Sequence, residues 1–147
     1  MRKFLIATHG QFASGVKSSL EIIIGETENL FLIEAYVEGN KGIESEMEVI
    51  LKNIGERDEL IVFTDLLGGS ITNQVMRSTQ GVPGSPQSRN VHIVSGFNLA
   101  LLIEVVMADI DIPAAEVIES AIANAKEQMA YVNKLMTLNI DDQAYEN

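Results

Sequence analysis

One stretch limits the folds open to this chain more than any other. Leu60-Ile61-Val62-Phe63 is an unbroken apolar run, and Thr64-Asp65-Leu66-Leu67-Gly68-Gly69-Ser70-Ile71-Thr72 follows it. A run apolar at every position reads as a strand covered on both faces, as in a parallel sheet between two helix layers. It ends at a carboxylate, turns on two glycines, and enters a helical pattern at Ser70. The first N–H groups of a helix have no internal partner and its dipole favours negative charge, so this layout makes an anion site. A second stretch repeats it: Phe4-Leu5-Ile6-Ala7-Thr8 runs into His9-Gly10. Parallel strands finish on one edge, so an imidazole, a carboxylate and an anion cradle are expected side by side.

The remaining chain alternates in the same way. Strands are expected over Lys3 to Thr8, Leu30 to Tyr36, Leu60 to Thr64 and Val91 to Val94. Helices are expected from Phe12 to Ile24, with Gly25 as C-cap, and from Gly42 to Ile54, Ser70 to Ser78 and Asn98 to Ala108. Phe12, Val16, Leu20, Ile23 and Ile24 mark the inner side of the first. Ile43, Met47, Ile50, Leu51 and Ile54 mark that of the second. Pro113 opens a fifth helix, whose stripe Ala115, Ile118, Ile122, Ala125, Met129, Val132 steps by three and four. Gln80 to Asn90, with two glycines and two prolines, reads as a loop. Met136 to Ile140 is a candidate short strand, and Asp141 to Asn147 a frayed end.

Strand–helix alternation predicts an α/β, doubly wound fold: a mainly parallel four-stranded sheet of order 2-1-3-4 with helices on both faces. Right-handed crossovers put every strand-to-helix loop at the carboxyl edge. Ligands bind there, at the point where strand order reverses. In that order the first and third strands flank this point, and they end at His9 and Asp65.

Composition narrows the function. A chain of 147 residues reads as one domain, and no apolar run is long enough to span a bilayer. The N-terminus lacks the long apolar segment of a secretory signal. Without cysteine there is no disulfide, zinc–thiolate or thiol chemistry, which suits a cytoplasmic protein. A net charge of −11 argues against nucleic acid as partner. Only four arginines occur, Arg2, Arg57, Arg77 and Arg89, so a bound phosphate would rest mainly on backbone N–H groups.

His9 is therefore the candidate phosphoryl acceptor. A histidine after a strand is most often a polar loop residue. Here the following glycine and the neighbouring carboxylate and cradle favour chemistry. Neutral imidazole is a nucleophile near pH 7, and Asp65 suits the role of holding the proton on its other nitrogen. Gly68, Gly69 and Ser70 would receive the phosphoryl oxygens, with Ser70 also an ordinary N-cap candidate. Thr8 and Thr64 stand close enough to take part, although threonines there usually satisfy backbone groups. His92 falls inside the fourth strand, away from the loop edge, and reads as structural. Asp109 and Asp111 read as loop and capping residues. Two histidines at such different depths make no metal pair, so no metal is expected. No nucleotide motif is present, and no cofactor is expected.

Three motifs carry a family resemblance: Ile6-Ala7-Thr8-His9-Gly10, Thr64-Asp65-Leu66-Leu67-Gly68-Gly69-Ser70, and Ser95-Gly96-Phe97-Asn98-Leu99 through Leu102-Ile103-Glu104. With them the chain, from Lys3 to about Leu135, resembles the IIA component of the mannose-type (mannose/fructose/sorbose) sugar phosphotransferase system. The resemblance implies a phosphoryl-carrier domain over residues 1–135 and a strand or tail over 136–147. It implies a homodimer, in which Thr137 to Ile140 is the candidate for a fifth strand exchanged between subunits. It implies that His9 takes phosphate from the carrier HPr and passes it to a cognate IIB protein, and so serves a membrane IIC/IID permease indirectly. Asp65 would pair with the imidazole and Ser70 lie by the phosphoryl group, without metal or nucleotide. Two features depart from the pattern: Ile71 stands where the family commonly has proline, and the loop from Gln80 to Arg89 is long. The phosphoryl-carrier subunit of dihydroxyacetone kinase is disfavoured, since it resembles Ser-His-Ser after the first strand and lacks the Gly-Gly-Ser turn. A histidine phosphatase needs an arginine where Thr8 stands. A regulatory binding module on the same fold is the remaining alternative.

Overall fold

The computed structural model describes residues 1–79 and 90–137. The elements run β1 (Arg2–His9), α1 (Phe12–Ile24), β2 (Leu30–Ala35), α2 (Glu44–Lys52), β3 (Glu59–Thr64), α3 (Ser70–Thr79), β4 (Val91–Ser95), α4 (Leu99–Val106) and α5 (Ala114–Lys126). They form a four-stranded sheet of order β2-β1-β3-β4 in which all three pairings are parallel, as expected. The register sets Ala7 beside Thr64 and His9 beside Ala35, so β1 ends level with β2 and two residues past the end of β3.

Side-chain alternation along the two central strands explains the layers. Phe4, Ile6, Ile61 and Phe63 face one way and pack with Leu20 of α1, Leu102 of α4 and Ala121 of α5. Leu5, Ala7, Leu60 and Val62 face the other way and pack with Met47 of α2 and Val75 of α3. Both sets are buried, which is why the sequence is apolar at consecutive positions instead of alternating. Fully burying one such side chain is worth about 1.5–3 kcal/mol. The sheet is thereby a stiff platform for the residues at its carboxyl edge.

Several boundaries differ from expectation. The expected inner face of α2 is buried at Ile43, Met47, Ile50 and Ile54. On α1, Ala13 lies in the core while Phe12 and Ile23 are about half exposed. Phe12 instead stacks on Phe97, ring centroids 5.5 Å apart. The fifth helix stops at Lys126, and its core side is Ala114, Val117, Ile118, Ala121 and Ala125. Ala115, Met129 and Val132 are exposed. The apolar stripe thus outran the helix, because a period alone does not say where a surface to pack on ends. Residues 132–137 form a separate helical segment, so Met136 and Thr137 are helical, not the start of a strand. Leu138 to Ile140, the frayed end expected to follow, and the Gln80 to Arg89 loop lie outside the described residues. Among the described residues no helix is long and apolar enough to cross a membrane.

Candidate active site

The sheet register delivers the imidazole and the carboxylate to one point. Asp65 Oδ2 lies 2.8 Å from His9 Nδ1 and also accepts the His9 backbone N–H at 2.8 Å. Two bonds to one carboxylate oxygen fix both the ring and the backbone that carries it. An ionised carboxylate only accepts, so the proton of the neutral ring sits on Nδ1 and Nε2 keeps its lone pair. The His9 side chain is 40% exposed, whereas that of Asp65 is 9% exposed. Burial alone would raise the Asp65 carboxyl, but the two hydrogen bonds and the charge of His9 outweigh it and hold the group below its ordinary range. Asp65 Oδ1 is buried and has no partner among the described residues.

The turn after Asp65 is held from behind. The Leu66 carbonyl accepts the Gly69 N–H at 3.1 Å and lies 2.6 Å from the Thr72 hydroxyl. Gly68 adopts φ 75°, a conformation open to glycine at little cost. A Cβ at Gly69 would stand 3.2 Å from the Leu66 carbonyl and 3.8 Å from His9 Cε1, so a bare backbone lets the turn close against the imidazole. The Gly69 N–H, expected to face an anion, is occupied by that carbonyl. Among the described residues, the N–H groups of Gly68 and Ser70 have no acceptor. Ser70 begins α3, where free donors and the dipole coincide.

The two threonines act on opposite faces. Thr8 Oγ1 accepts the Ala13 N–H at 2.9 Å and so caps the start of α1, where Gln11 makes no side-chain cap. Thr64 Oγ1 lies 2.7 Å from the Thr72 hydroxyl and ties β3 to α3. Both are fully buried and, among the described residues, neither hydroxyl hydrogen-bonds the imidazole, so they position the helices that frame the site. His92 pairs in register with Ile61, which in turn pairs with Phe4. That is five residues short of His9, roughly 16 Å along the strand. Asp109 Oδ1 accepts the Asp111 N–H at 2.9 Å, a local turn far from the site. Among the described residues no cluster of His, Asp and Glu is placed to hold a metal ion.

Sequence reading missed Tyr36. It follows the last residue of β2 at φ 64°, and its ring centroid is 5.6 Å from that of His9. Its hydroxyl lies 2.8 Å from Ser70 Oγ. Its place after an apolar strand resembled one more strand residue, and only the left-handed turn brings it over the imidazole. Around this centre Leu66, Leu67 and Phe12 expose 59%, 85% and 51% of their surface.

Comparison with known proteins shows what the chain as a whole is similar to. A model of the family described as PTS system fructose IIA component matches residues 3–122. The PTS system fructose-specific EIIA component of Bacillus subtilis is 27% identical over 106 residues, which cover 71% of this chain and 68% of that protein. Among solved structures, a proposed phosphoenolpyruvate-dependent sugar phosphotransferase system permease from Klebsiella pneumoniae is 32% identical, with a TM-score of 0.80 over 92% of this chain and 93% of that one. The PTS IIA protein associated with the fucose utilization operon of Streptococcus pneumoniae is 28% identical, with a TM-score of 0.73 over 92% of this chain and 96% of that one.

Proposed function

The chain belongs to this EIIA-man family of phosphotransferase-system IIA components, and on that footing we propose that it is a histidine phosphoryl carrier in sugar uptake. His9 accepts phosphate from phospho-HPr and hands it to a cognate IIB protein, which serves a IIC/IID permease. The observation that supports this most is the single Asp65 oxygen that holds both the ring Nδ1–H and the backbone N–H of His9.

The chemistry follows from that pairing. The Nε2 lone pair attacks phosphorus. The N–P bond of the donor phosphohistidine breaks, and its electron pair returns to the donor nitrogen. The His9 ring becomes cationic without shedding the Nδ1 proton, and the Asp65 carboxylate neutralises it at 2.8 Å. In the onward step a nitrogen of IIB attacks and the pair returns to Nε2. Charge spreads over the phosphoryl oxygens in the transition state, so fixed donors aimed at them are the main source of acceleration. The N–H groups of Gly68 and Ser70 and the Ser70 hydroxyl fill that role. Gly69 contributes by its shape, and Thr8 and Thr64 by placing the helices. No metal or other cofactor enters these steps.

Exposed Leu66, Leu67 and Phe12 beside His9 suit apolar contact with a protein donor. A free sugar phosphate would call for cations, and among the described residues no lysine or arginine is a hydrogen-bond partner of His9, Asp65 or Ser70. The reading places the protein in the cytoplasm, as a homodimer built on a carrier domain over residues 1–135 with a tail over 136–147.

Incubation with phosphoenolpyruvate, enzyme I and HPr, followed by mass spectrometry at neutral pH, tests it. The wild-type protein gains one acid-labile phosphate and His9→Ala gains none. A protein that takes up no phosphate is a binding module instead. Release of phosphate from a small substrate would mark a phosphatase.

A further inference from the structure

We propose that Tyr36 and Gln74 form a one-way hydrogen-bond relay that turns the Ser70 hydroxyl proton toward the phosphoryl group on His9. This rests on the carrier reading above and names positioning residues for the same site. The chain of contacts begins at a backbone amide, whose direction admits no ambiguity. The Ile43 N–H can only donate, and it donates to Gln74 Oε1 at 2.9 Å. That fixes the amide of Gln74, 8% exposed, so that its NH₂ end faces the tyrosine. Gln74 Nε2 then donates to the Tyr36 hydroxyl oxygen at 3.1 Å. With its oxygen accepting, Tyr36 has its own proton to give, and Ser70 Oγ stands 2.8 Å away. In the proposed relay Ser70 accepts that proton from Tyr36, and its own single proton is left for another acceptor. Each bond in such a chain polarises the next, which strengthens the last donor.

Two further observations favour a built device over a chance contact. Tyr36 holds φ 64°, a conformation that a bulky residue adopts only when its surroundings impose it. That same turn sets its ring against the ring of His9, centroids 5.6 Å apart and tilted by 40°. Tyrosine at this point thus lies against the acceptor imidazole and reaches the residue beside its cargo.

The test is rapid-quench transfer from phospho-HPr to wild type, Tyr36→Phe, Ser70→Ala and the double variant. Tyr36→Phe keeps the ring and removes one neutral hydrogen bond, which corresponds to a loss of roughly fivefold in rate. The loss is expected in kcat, with KM for phospho-HPr unchanged. In the Ser70→Ala background the same change is expected to cost nothing more. Gln74→Glu still accepts from Ile43, but it also accepts from Tyr36 and draws that proton away from Ser70. It should slow transfer to a similar degree, again only while Ser70 is present. Urea unfolding of the first four proteins reads the contact without any chemistry, and a relay requires non-additive stabilities. Equal slowing with and without Ser70, additive stabilities, or wild-type rates in Tyr36→Phe would overturn the relay and leave the carrier reading standing. A wild-type protein that takes no phosphate would overturn the carrier reading and the relay with it.

Discussion

Two aspartates bracket β3, and they teach different lessons from shifts in the same direction. Asp58 precedes the strand at the amino edge and Asp65 follows it at the carboxyl edge. Both carboxyls are held below the ordinary range. Asp58 reaches about 2 because the Gly55 N–H and the Lys3 ammonium bind it, helped by the N-terminal ammonium. Its two oxygens are fully engaged: Oδ2 with Gly55 N at 2.9 Å and Lys3 Nζ at 3.1 Å, Oδ1 with the Met1 amino group at 3.3 Å. Asp65 is opposed by burial and held low chiefly by its bonds to His9, and its Oδ1 has no partner among the described residues. The partners of Asp58 are a backbone N–H and ammonium groups at the amino edge, away from His9, so that contact holds the fold steady. On the carrier reading proposed above, the partner of Asp65 gains positive charge when its far nitrogen takes the phosphoryl group, so that contact responds to chemistry. On that reading, carboxylates at the two ends of one strand differ in role because only one of them has a partner that changes charge.

The sharpest way to break this comparison is to remove each carboxylate in turn. Asp65→Ala is expected to slow phosphoryl transfer by roughly 10²–10⁴-fold, the range for a lost positioned acid–base partner. Asp58→Ala should leave quench-flow rates within about twofold of wild type. Equal rates in the two variants would erase the distinction. The next effect concerns the amino edge. Arg2, 5% exposed, bonds Glu59 Oε1 at 2.6 Å and the Ile112 carbonyl at 2.7 Å. Arg2→Ala should lower unfolding free energy by about 2 kcal/mol, with transfer intact.

At the carboxyl edge, Thr8→Val keeps the shape and removes the acceptor for the Ala13 N–H. A cost of about 1 kcal/mol is expected in urea unfolding. The Thr8 hydroxyl frames the site by bonding Ala13 and not the imidazole, so KM should stay put.

The smallest effect is the pH dependence. The folded Asp58 carboxyl at about 2 lies below its ordinary 3.8, so the unfolded chain binds more protons between these values. Its stabilisation is complete above about pH 4 and disappears as pH falls through 2. Urea midpoints between pH 2 and 5 should rise with pH, and Asp58→Asn should flatten that rise. Asp65, also lowered, contributes with the same sign.

Much of this site is written locally. Apolar runs that end in His9-Gly10 and in Asp65-Leu66-Leu67-Gly68-Gly69 announce two strands and their turns. Alternation of strands and helices then forces parallel pairing, and parallel pairing brings the two ends together. Tyr36 is different. Its role depends on a single left-handed residue after β2, and a bulky side chain gives no warning of positive φ. Likewise the direction of the Gly69 N–H and the end of α5 at Lys126 depend on which neighbour is present, not on the residue itself.

By itself, then, the sequence determined the layers, the strand order and the pairing of His9 with Asp65. Periodicity and turn chemistry act over a few residues and leave a legible trace. Tertiary structure alone decided which oxygen of Asp65 is engaged, that Phe12 leaves the core to stack on Phe97, and that Tyr36 meets Ser70. Those are contacts between residues distant in the chain, with geometry set by how helices settle on the sheet, and no local pattern encodes an ångström-scale choice of partner.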